Sequence, residues 1–200
     1  MIRRQEDIDF YSAKLKTENV ASVVTEIDFA VGDLFKQFVQ ENFSHLDYFI
    51  IDEEIVAELK DPIGKLNTAE YTFVIDPIDG TLTYATGLPY YAVSVGVFKE
   101  GKPYLGFLYA PALEQMVYCD ETDAYVVDKP FTSNEKKTKI TDLNDINVAP
   151  VFFEHPTGMS LTAEWNKDRK AFPMNMYSAV VHFMYVAMGK GMGYYYCVYL

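Results

Sequence analysis

Three acidic groups in this chain have the residue types and spacing of a cation site: Glu53 with Glu54, then Asp76, then Asp79. Asp76 precedes Pro77, which holds it extended, and Asp79 follows three residues later. Two bare carboxylates about 4 Å apart repel by roughly 4 kcal/mol at an effective dielectric near 20. Such a cluster persists only if it is protonated, splayed apart or holding cations. Hard oxygen donors without His or Cys select Mg²⁺, Mn²⁺ or Ca²⁺ over zinc. Gly80-Thr81 comes next, at the expected start of a short helix from Thr81 to Ala85. Glycine there lets backbone N–H groups come close to an anion. Carboxylates for metals beside amides for phosphate are the parts that metal-assisted phosphoryl hydrolysis needs. Aspartyl-phosphate chemistry of the haloacid dehalogenase type uses aspartates at i and i+2, so the i, i+3 pair fits metal bridging better. The same stretch also reads as turn punctuation, and Glu53, Glu54 and Glu58 as one solvated acidic face.

Short apolar runs must position these groups. Tyr48 to Ile51 reads as a buried strand ending at Asp52-Glu53-Glu54, and Tyr71 to Ile75 as a second one running into Asp76. Ahead of them Ile27, Ala30, Val31, Leu34, Phe35, Phe38 and Val39 mark one face of an amphipathic helix of about four turns. Thr25 and Asp28 stand at its N-cap and N3 positions, which gives Asp28 a purely structural reading as a capping partner. Val56 to Glu70 holds Pro62 and Gly64 and reads as a loop or broken helix. Tyr91 to Phe98, Tyr104 to Tyr109, Gln115 to Cys119 and Ala124 to Val127 follow as an antiparallel meander. Asp128 to Asp145 is polar and is expected to be an exposed loop or a subdomain boundary. Val148 to Phe153 starts a further strand, and Asn175 to Met188, apolar all round, reads as a helix covered on every side. His182 within it is expected to be a satisfied core residue.

Seventeen basic against 29 acidic residues give a net charge of −12, which argues against a nucleic-acid or anionic-membrane surface. Half of the 200 residues are hydrophobic, enough for a substantial core and too many for disorder. Met174 to Gly189 carries His182, ends in Gly189-Lys190-Gly191 and falls short of the ~20 residues that a bilayer needs. Met1-Ile2-Arg3-Arg4 is followed by charge and not by an apolar run. The expectation is a cytoplasmic protein with Cys119 and Cys197 reduced. The chain stops on Tyr194-Tyr195-Tyr196-Cys197-Val198-Tyr199-Leu200, an unusually apolar end, so the parent reading frame is expected to continue.

Val74-Ile75-Asp76-Pro77-Ile78-Asp79-Gly80-Thr81, continuing through Gly87-Leu88-Pro89 to Ala92-Val93-Ser94-Val95-Gly96, resembles the signature of the inositol monophosphatase family. Val24-Thr25-Glu26-Ile27-Asp28 resembles its Val-Thr-x-x-Asp segment, and Asp52-Glu53-Glu54 its Gly-Glu-Glu motif. Ser178-Ala179 and Val186-Ala187-Met188-Gly189 resemble the helix and turn before its second signature. The resemblance implies an α/β fold, an α+β layered sandwich like that of inositol monophosphatases and fructose bisphosphatases. A mostly antiparallel N-terminal sheet would be flanked by helices and followed by a smaller C-terminal α/β part. The expected division is a metal- and phosphate-binding part over residues 1–145 and a partial C-terminal part over 146–200.

The resemblance also implies roles. Glu53, Asp76 and the carbonyl of Ile78 would hold one Mg²⁺, and Asp76 with Asp79 a second. A weaker third ion would touch Glu53, and Mn²⁺ could substitute. Thr81 paired with Asp28 would orient and help deprotonate the attacking water, while amides of Gly80 and Thr81 bind phosphate. Ser178, Ala179 and Tyr196 would face the rest of the substrate, a small phosphorylated metabolite such as an inositol phosphate, a sugar phosphate or a nucleotide 3′-phosphate. Lithium inhibition and a homodimer are implied as well. The chain departs from the pattern in four places. The family's Trp-Asp signature would begin past Leu200, Asp52 stands for a glycine, Thr83 for an asparagine, and Tyr196 for a glutamate that grips inositol hydroxyls. The rival reading is a non-catalytic member that binds without hydrolysing.

Overall fold

The computed structural model describes residues 14–15, 23–24, 26–141, 149–153, 171–191 and 193–195. A two-residue pair, β1 (Lys14–Leu15) and β2 (Val23–Val24), precedes helix α1 (Glu26–Phe43). Then come β3 (Tyr48–Asp52), a 3₁₀ turn (Glu53–Glu58), α2 (Pro62–Thr68), β4 (Tyr71–Asp79) and α3 (Thr81–Ala85). The meander is β5 (Ala92–Lys99), β6 (Lys102–Ala110), β7 (Gln115–Cys119), β8 (Ala124–Asp128) and β9 (Lys136–Lys139). Last are β10 (Ala149–Phe153), β11 (Ala171–Met174), α4 (Ala179–Ala187) and β12 (Gly193–Tyr195).

Seven strands, β3 to β9, lie in chain order in one sheet. Only β3 and β4 run parallel, which places the ends of both, with Glu53 and Asp76, at the same edge of the sheet. Every later pair is antiparallel, as tight connections require. A second sheet of three parallel strands has the order β11-β10-β12. Helices therefore cover a mixed, mostly antiparallel sheet, which is the expected layered α/β class.

α1 covers one face of the large sheet. Val39 meets Phe73 and Val97, with Phe35, Phe43, Tyr48 and Val95 packed around them. Phe35 and Phe43 both lie against the Phe73 ring, at 6.1 and 5.8 Å between centroids. The opposite face is covered by α4. Val180, Val181 and Met184 pack with Ala92, Ala110 and Val117 of the large sheet and with Phe152 of the small one. A single apolar cluster thus joins the residues before and after position 145.

Three local expectations are corrected, and the broken helix over Val56 to Glu70 is made specific. The face of α1 that is buried runs through Asp28, Gly32 and Val39, whereas Leu34 and Phe38 are each 52% exposed. The helix is rotated because a carboxylate and a glycine, not the largest apolar residues, dock on the strand ends. Val56 to Glu70 contains the last half of the 3₁₀ turn and a full helix, α2, which Asp61 caps through Gly64 N–H at 3.0 Å. Lys136–Lys139 inside the expected loop pairs with β8 as an exposed strand. α4 begins at Ala179, not Asn175, and Phe183 is 49% exposed, so the helix is not covered on every side. His182 is buried as expected. Its Nε2 accepts from Met176 N–H at 2.8 Å, yet its Nδ1 has no hydrogen-bond partner. Burial pushes its pKa down to about 4. No described helix is long and apolar enough to cross a membrane.

Candidate active site

A bulge in β4 does the first positioning. In a regular strand residues i and i+3 point to opposite faces. Asp76 pairs with Ser94 and Asp79 with Ala92, so three steps on β4 oppose two on β5. The extra residue falls in Pro77-Ile78, which suits a proline that has no N–H to give the ladder. The alternation is reset, and the two aspartates come close enough to repel each other. Pro77 and Ile78 are buried, anchoring the bulge against Tyr84 and Tyr91.

Glu53 arrives from the neighbouring strand. Asp52 lies opposite Ile75 in the parallel register, so Glu53 leaves the sheet beside Asp76, which stays paired with Ser94 of β5. Asp52 caps the 3₁₀ turn, its Oδ1 accepting from Glu54 N–H at 3.0 Å. Asp76 is the electrostatic centre of the group. Burial first, then the negative charges of Asp79, Glu53, Asp28 and Glu54, push its pKa up to about 8.

Asp28 is fully buried on α1 and faces Thr81 at the start of α3. The Thr81 hydroxyl lies 3.3 Å from Asp28 Oδ1 and 3.0 Å from the Ile78 carbonyl, with one proton to donate between them. Gly80 precedes it in the left-handed region at φ +84°. A Cβ there would lie 2.7 Å from the Tyr90 carbonyl, so both conformation and space demand glycine. Thr83 fixes the same turn from inside, its hydroxyl held between the carbonyls of Gly80 and Tyr90.

Asp79 reaches to the other end of the chain. Its Oδ2 accepts from the Ser178 hydroxyl and from Val180 N–H at 2.8 Å, at the first turn of α4. Ser178 is buried and also caps that helix, accepting from Val181 N–H at 3.2 Å. Asp28, Glu53, Asp76, Ile78, Asp79, Gly80, Thr81, Ser178 and Ala179 therefore gather around the ends of β3 and β4. Tyr196 lies outside the described residues, as does Thr25, the expected capping partner of Asp28.

The donor set suits a hard divalent cation, being carboxylate and carbonyl oxygen throughout. Among the described residues, however, no three His, Cys, Asp or Glu side chains are drawn into a group tight enough to hold an ion. The two observations differ in reach. Charges act on Asp76 over several ångströms, while coordination requires roughly 2.0–2.1 Å to Mg²⁺. The carboxylates thus lie close enough to act on Asp76 electrostatically without forming a ligand cage among the described residues.

Lys36 and the cap made by Asp52 were not singled out by sequence reasoning. Lys36 had a usable signal, since positions 28, 32 and 36 recur every four residues on one helical face. Asp before Glu-Glu at a strand end is likewise a capping signature.

The sequence model of the inositol monophosphatase family matches residues 1–197. A protein of Aquifex aeolicus named fructose-1,6-bisphosphatase/inositol-1-monophosphatase is 30% identical over 150 residues, 72% of this chain and 51% of that protein. Inositol monophosphatase 3 of Solanum lycopersicum is 31% identical over 125 residues, 61% of this chain and 44% of that protein. The chain spans about half of the length of these curated relatives. The crystal structure of extragenic suppressor protein suhB from Bartonella henselae has a TM-score of 0.74 at 18% identity, covering 98% of this chain and 72% of that one. An IMPase/NADP phosphatase complexed with Mg²⁺ and phosphate has a TM-score of 0.71 at 17% identity, covering 92% of this chain and 65% of that one. At such identities the structures speak for the fold alone, a layered sheet-and-helix sandwich. The match of the family model over nearly all of the sequence carries the assignment: this chain belongs to the inositol monophosphatase family.

Proposed function

We propose that this chain carries the active site of a Mg²⁺-dependent phosphomonoesterase that hydrolyses a small phosphorylated metabolite. The observation that carries the reading is the gathering of Glu53, Asp76 and Asp79 at the ends of two parallel strands beside the Asp28–Thr81 pair, where burial and the neighbouring carboxylates push the pKa of Asp76 up. A dianionic ester cannot approach such a pocket until cations reverse its sign. Glu53, Asp76, Asp79 and the Ile78 carbonyl would hold the ions, two or three in number, with Mn²⁺ as a substitute. When bound, such ions lower the pKa of water and neutralise charge on attacking and leaving oxygens.

The chain's own groups supply orientation. Thr81 would accept a hydrogen bond from the attacking water while passing its own proton toward Asp28, which aims a water lone pair at phosphorus. The bond from water oxygen to phosphorus would form as the ester P–O bond breaks. The attacking water gives its proton up through Thr81 toward Asp28, and the departing alkoxide takes one from solvent. Backbone amides of Gly80 and Thr81 would hold non-bridging phosphate oxygens, which the glycine permits by having no Cβ. Ser178 and Ala179 border the pocket through Asp79 and would face the alcohol part of the substrate. The names of the relatives support inositol and sugar phosphates as substrates, and nucleotide 3′-phosphates stay in the same class. A homodimer belongs to this reading and is checked by size-exclusion chromatography with light scattering.

The direct test is phosphate release from a panel of monoesters by the full-length protein at millimolar Mg²⁺, repeated with EDTA and with Li⁺. Hydrolysis of at least one ester, abolished by EDTA and inhibited by Li⁺, is expected. No release from any member of the panel would overturn the proposal in favour of a binding protein.

A further inference from the structure

The face of α1 that docks on the site repeats every four residues. Asp28 meets Thr81, Gly32 lies against Asp52 and Pro77, and Lys36 reaches Asp52. Lys36 Nζ stands 2.7 Å from Asp52 Oδ2, and Asp52 is 2% exposed. The other oxygen of the same carboxylate holds Glu54 N–H. One buried carboxylate thus joins the middle of α1 to the turn that presents Glu53. Gly32 sets the spacing, because a Cβ at that position would lie 2.7 Å from Asp52 Oδ2.

A further negative charge beside an already acidic pocket makes sense only with its own cation and a geometric task. Lys36 supplies the cation. Burial works against its ammonium, and Asp52 with the more exposed Asp33, at 3.4 Å, outweighs that cost so that its pKa is raised. The task follows from connectivity. Sliding or rotating α1 moves Asp28 relative to Thr81, and loosening the 3₁₀ turn moves Glu53 relative to Asp76. The Lys36–Asp52 pair restrains both movements at once.

We infer that Lys36 and Asp52 are positioning residues, a strut anchored on a buried carboxylate that sets Glu53 and Asp28 in place for cation binding. The inference rests on the metal-dependent reading of the site. It is tested by Mn²⁺ binding, followed by electron paramagnetic resonance on the full-length protein with thermal unfolding measured alongside. Lys36→Met and Asp52→Asn are each expected to weaken Mn²⁺ binding about 10-fold, the lower end of the loss seen when residues supporting metal ligands are changed. Lys36→Arg should keep binding near wild type. The double variant should lose about as much as either single one and not the product, because both singles break one contact.

Lys36→Met leaves a buried carboxylate without its cation, and should it fail to fold, Asp52→Asn, which retains an oxygen for Glu54 N–H, carries the test. A lowered melting temperature with Mn²⁺ affinity unchanged in Asp52→Asn would overturn the inference and leave the pair as ordinary scaffold. Wild-type protein that binds no Mn²⁺ would overturn the metal reading itself, and this inference with it.

Discussion

Two ends of one sheet treat their acidic residues in opposite ways. At the β3–β4 edge, Asp76 is driven up to about 8 by burial and by four other carboxylates. At the β7–β9 edge, Asp120 is held below its ordinary value because Thr122 N–H, Asp123 N–H and the Thr122 hydroxyl all donate to it. Its neighbour Asp123 pairs with Lys139 at 2.5 Å, and Lys137 sits over the rings of Tyr118 and Tyr125. Scaffold carboxylates satisfy themselves locally. Those at the site act on one another across the strand ends, and their charges together with burial push the pKa of Asp76 up. The acidity of the whole chain hides this difference, which is a matter of placement and not of composition.

The largest effect should come from Asp76→Asn. Losing a ligand that touches both proposed ions should lower kcat by about 1000-fold, the equivalent of several kcal/mol of charge stabilisation. The same change should stabilise the metal-free protein. The native state binds a proton at Asp76 between the ordinary carboxylate value of 3.8 and about 8, so stability in EDTA falls as pH rises across that window. The penalty is complete above about 8, and asparagine removes it. Thermal unfolding in EDTA at pH 9 should show a higher melting temperature for the variant, at about 2–4 °C for each kcal/mol gained. An unchanged or lower value would mean that the crowding at this edge is not real. In wild type, Mg²⁺ competes with that proton, so its affinity should tighten by about tenfold per pH unit up to about 8 and then level off. Isothermal titration at several pH values, with proton release recorded, checks both parts.

Next in size is Thr81→Ala. If the hydroxyl orients and relays a proton, kcat should fall by about 100-fold with KM little changed, while Thr81→Ser keeps most of the rate. Equal losses in serine and alanine would point to a packing role instead. Gly80→Ala attacks the same turn through the backbone. A residue forced to φ +84° with its Cβ against the Tyr90 carbonyl should destabilise the fold by about 1–3 kcal/mol and move the Thr81 hydroxyl away from Asp28. Denaturant unfolding with rate measurements distinguishes the two consequences.

Much of this edge was readable in advance, for a physical reason. β4, β5 and the short helix α3 are specified by local patterns, an apolar run, a proline and a glycine, whose consequences stay within a few residues. Asp76, Asp79, Gly80 and Thr81 follow from that local grammar. The rotation of α1 did not, because an apolar count over Ile27 to Val39 cannot weigh a carboxylate that finds its partner 53 residues away. The tie from Asp79 to Ser178 and the Lys36–Asp52 pair were hidden by the same limit. Both join segments distant in sequence, and no local pattern pairs one side with the other. β9 was missed for a different cause. Four exposed residues, Lys136 to Lys139, form an edge strand whose charges guard it against further pairing and erase the apolar alternation that reveals other strands.

The far edge supplies the smallest effect and the control for all the others. Asp120 binds its three donors only when ionised, so its contribution to stability is present above its unfolded pKa and lost as pH falls through the lowered native value. Asp120→Ala should therefore lower the melting temperature slightly at neutral pH and converge with wild type in acid, the reverse of the pH dependence expected at Asp76. Rate and Mg²⁺ response should not change, because the turn from Asp120 to Asp123 touches none of the site residues among the described ones. If Asp120→Ala altered Mg²⁺ affinity, the sheet would be transmitting strain from one edge to the other. The division between a self-satisfied scaffold and a cation-demanding edge would then have to be abandoned.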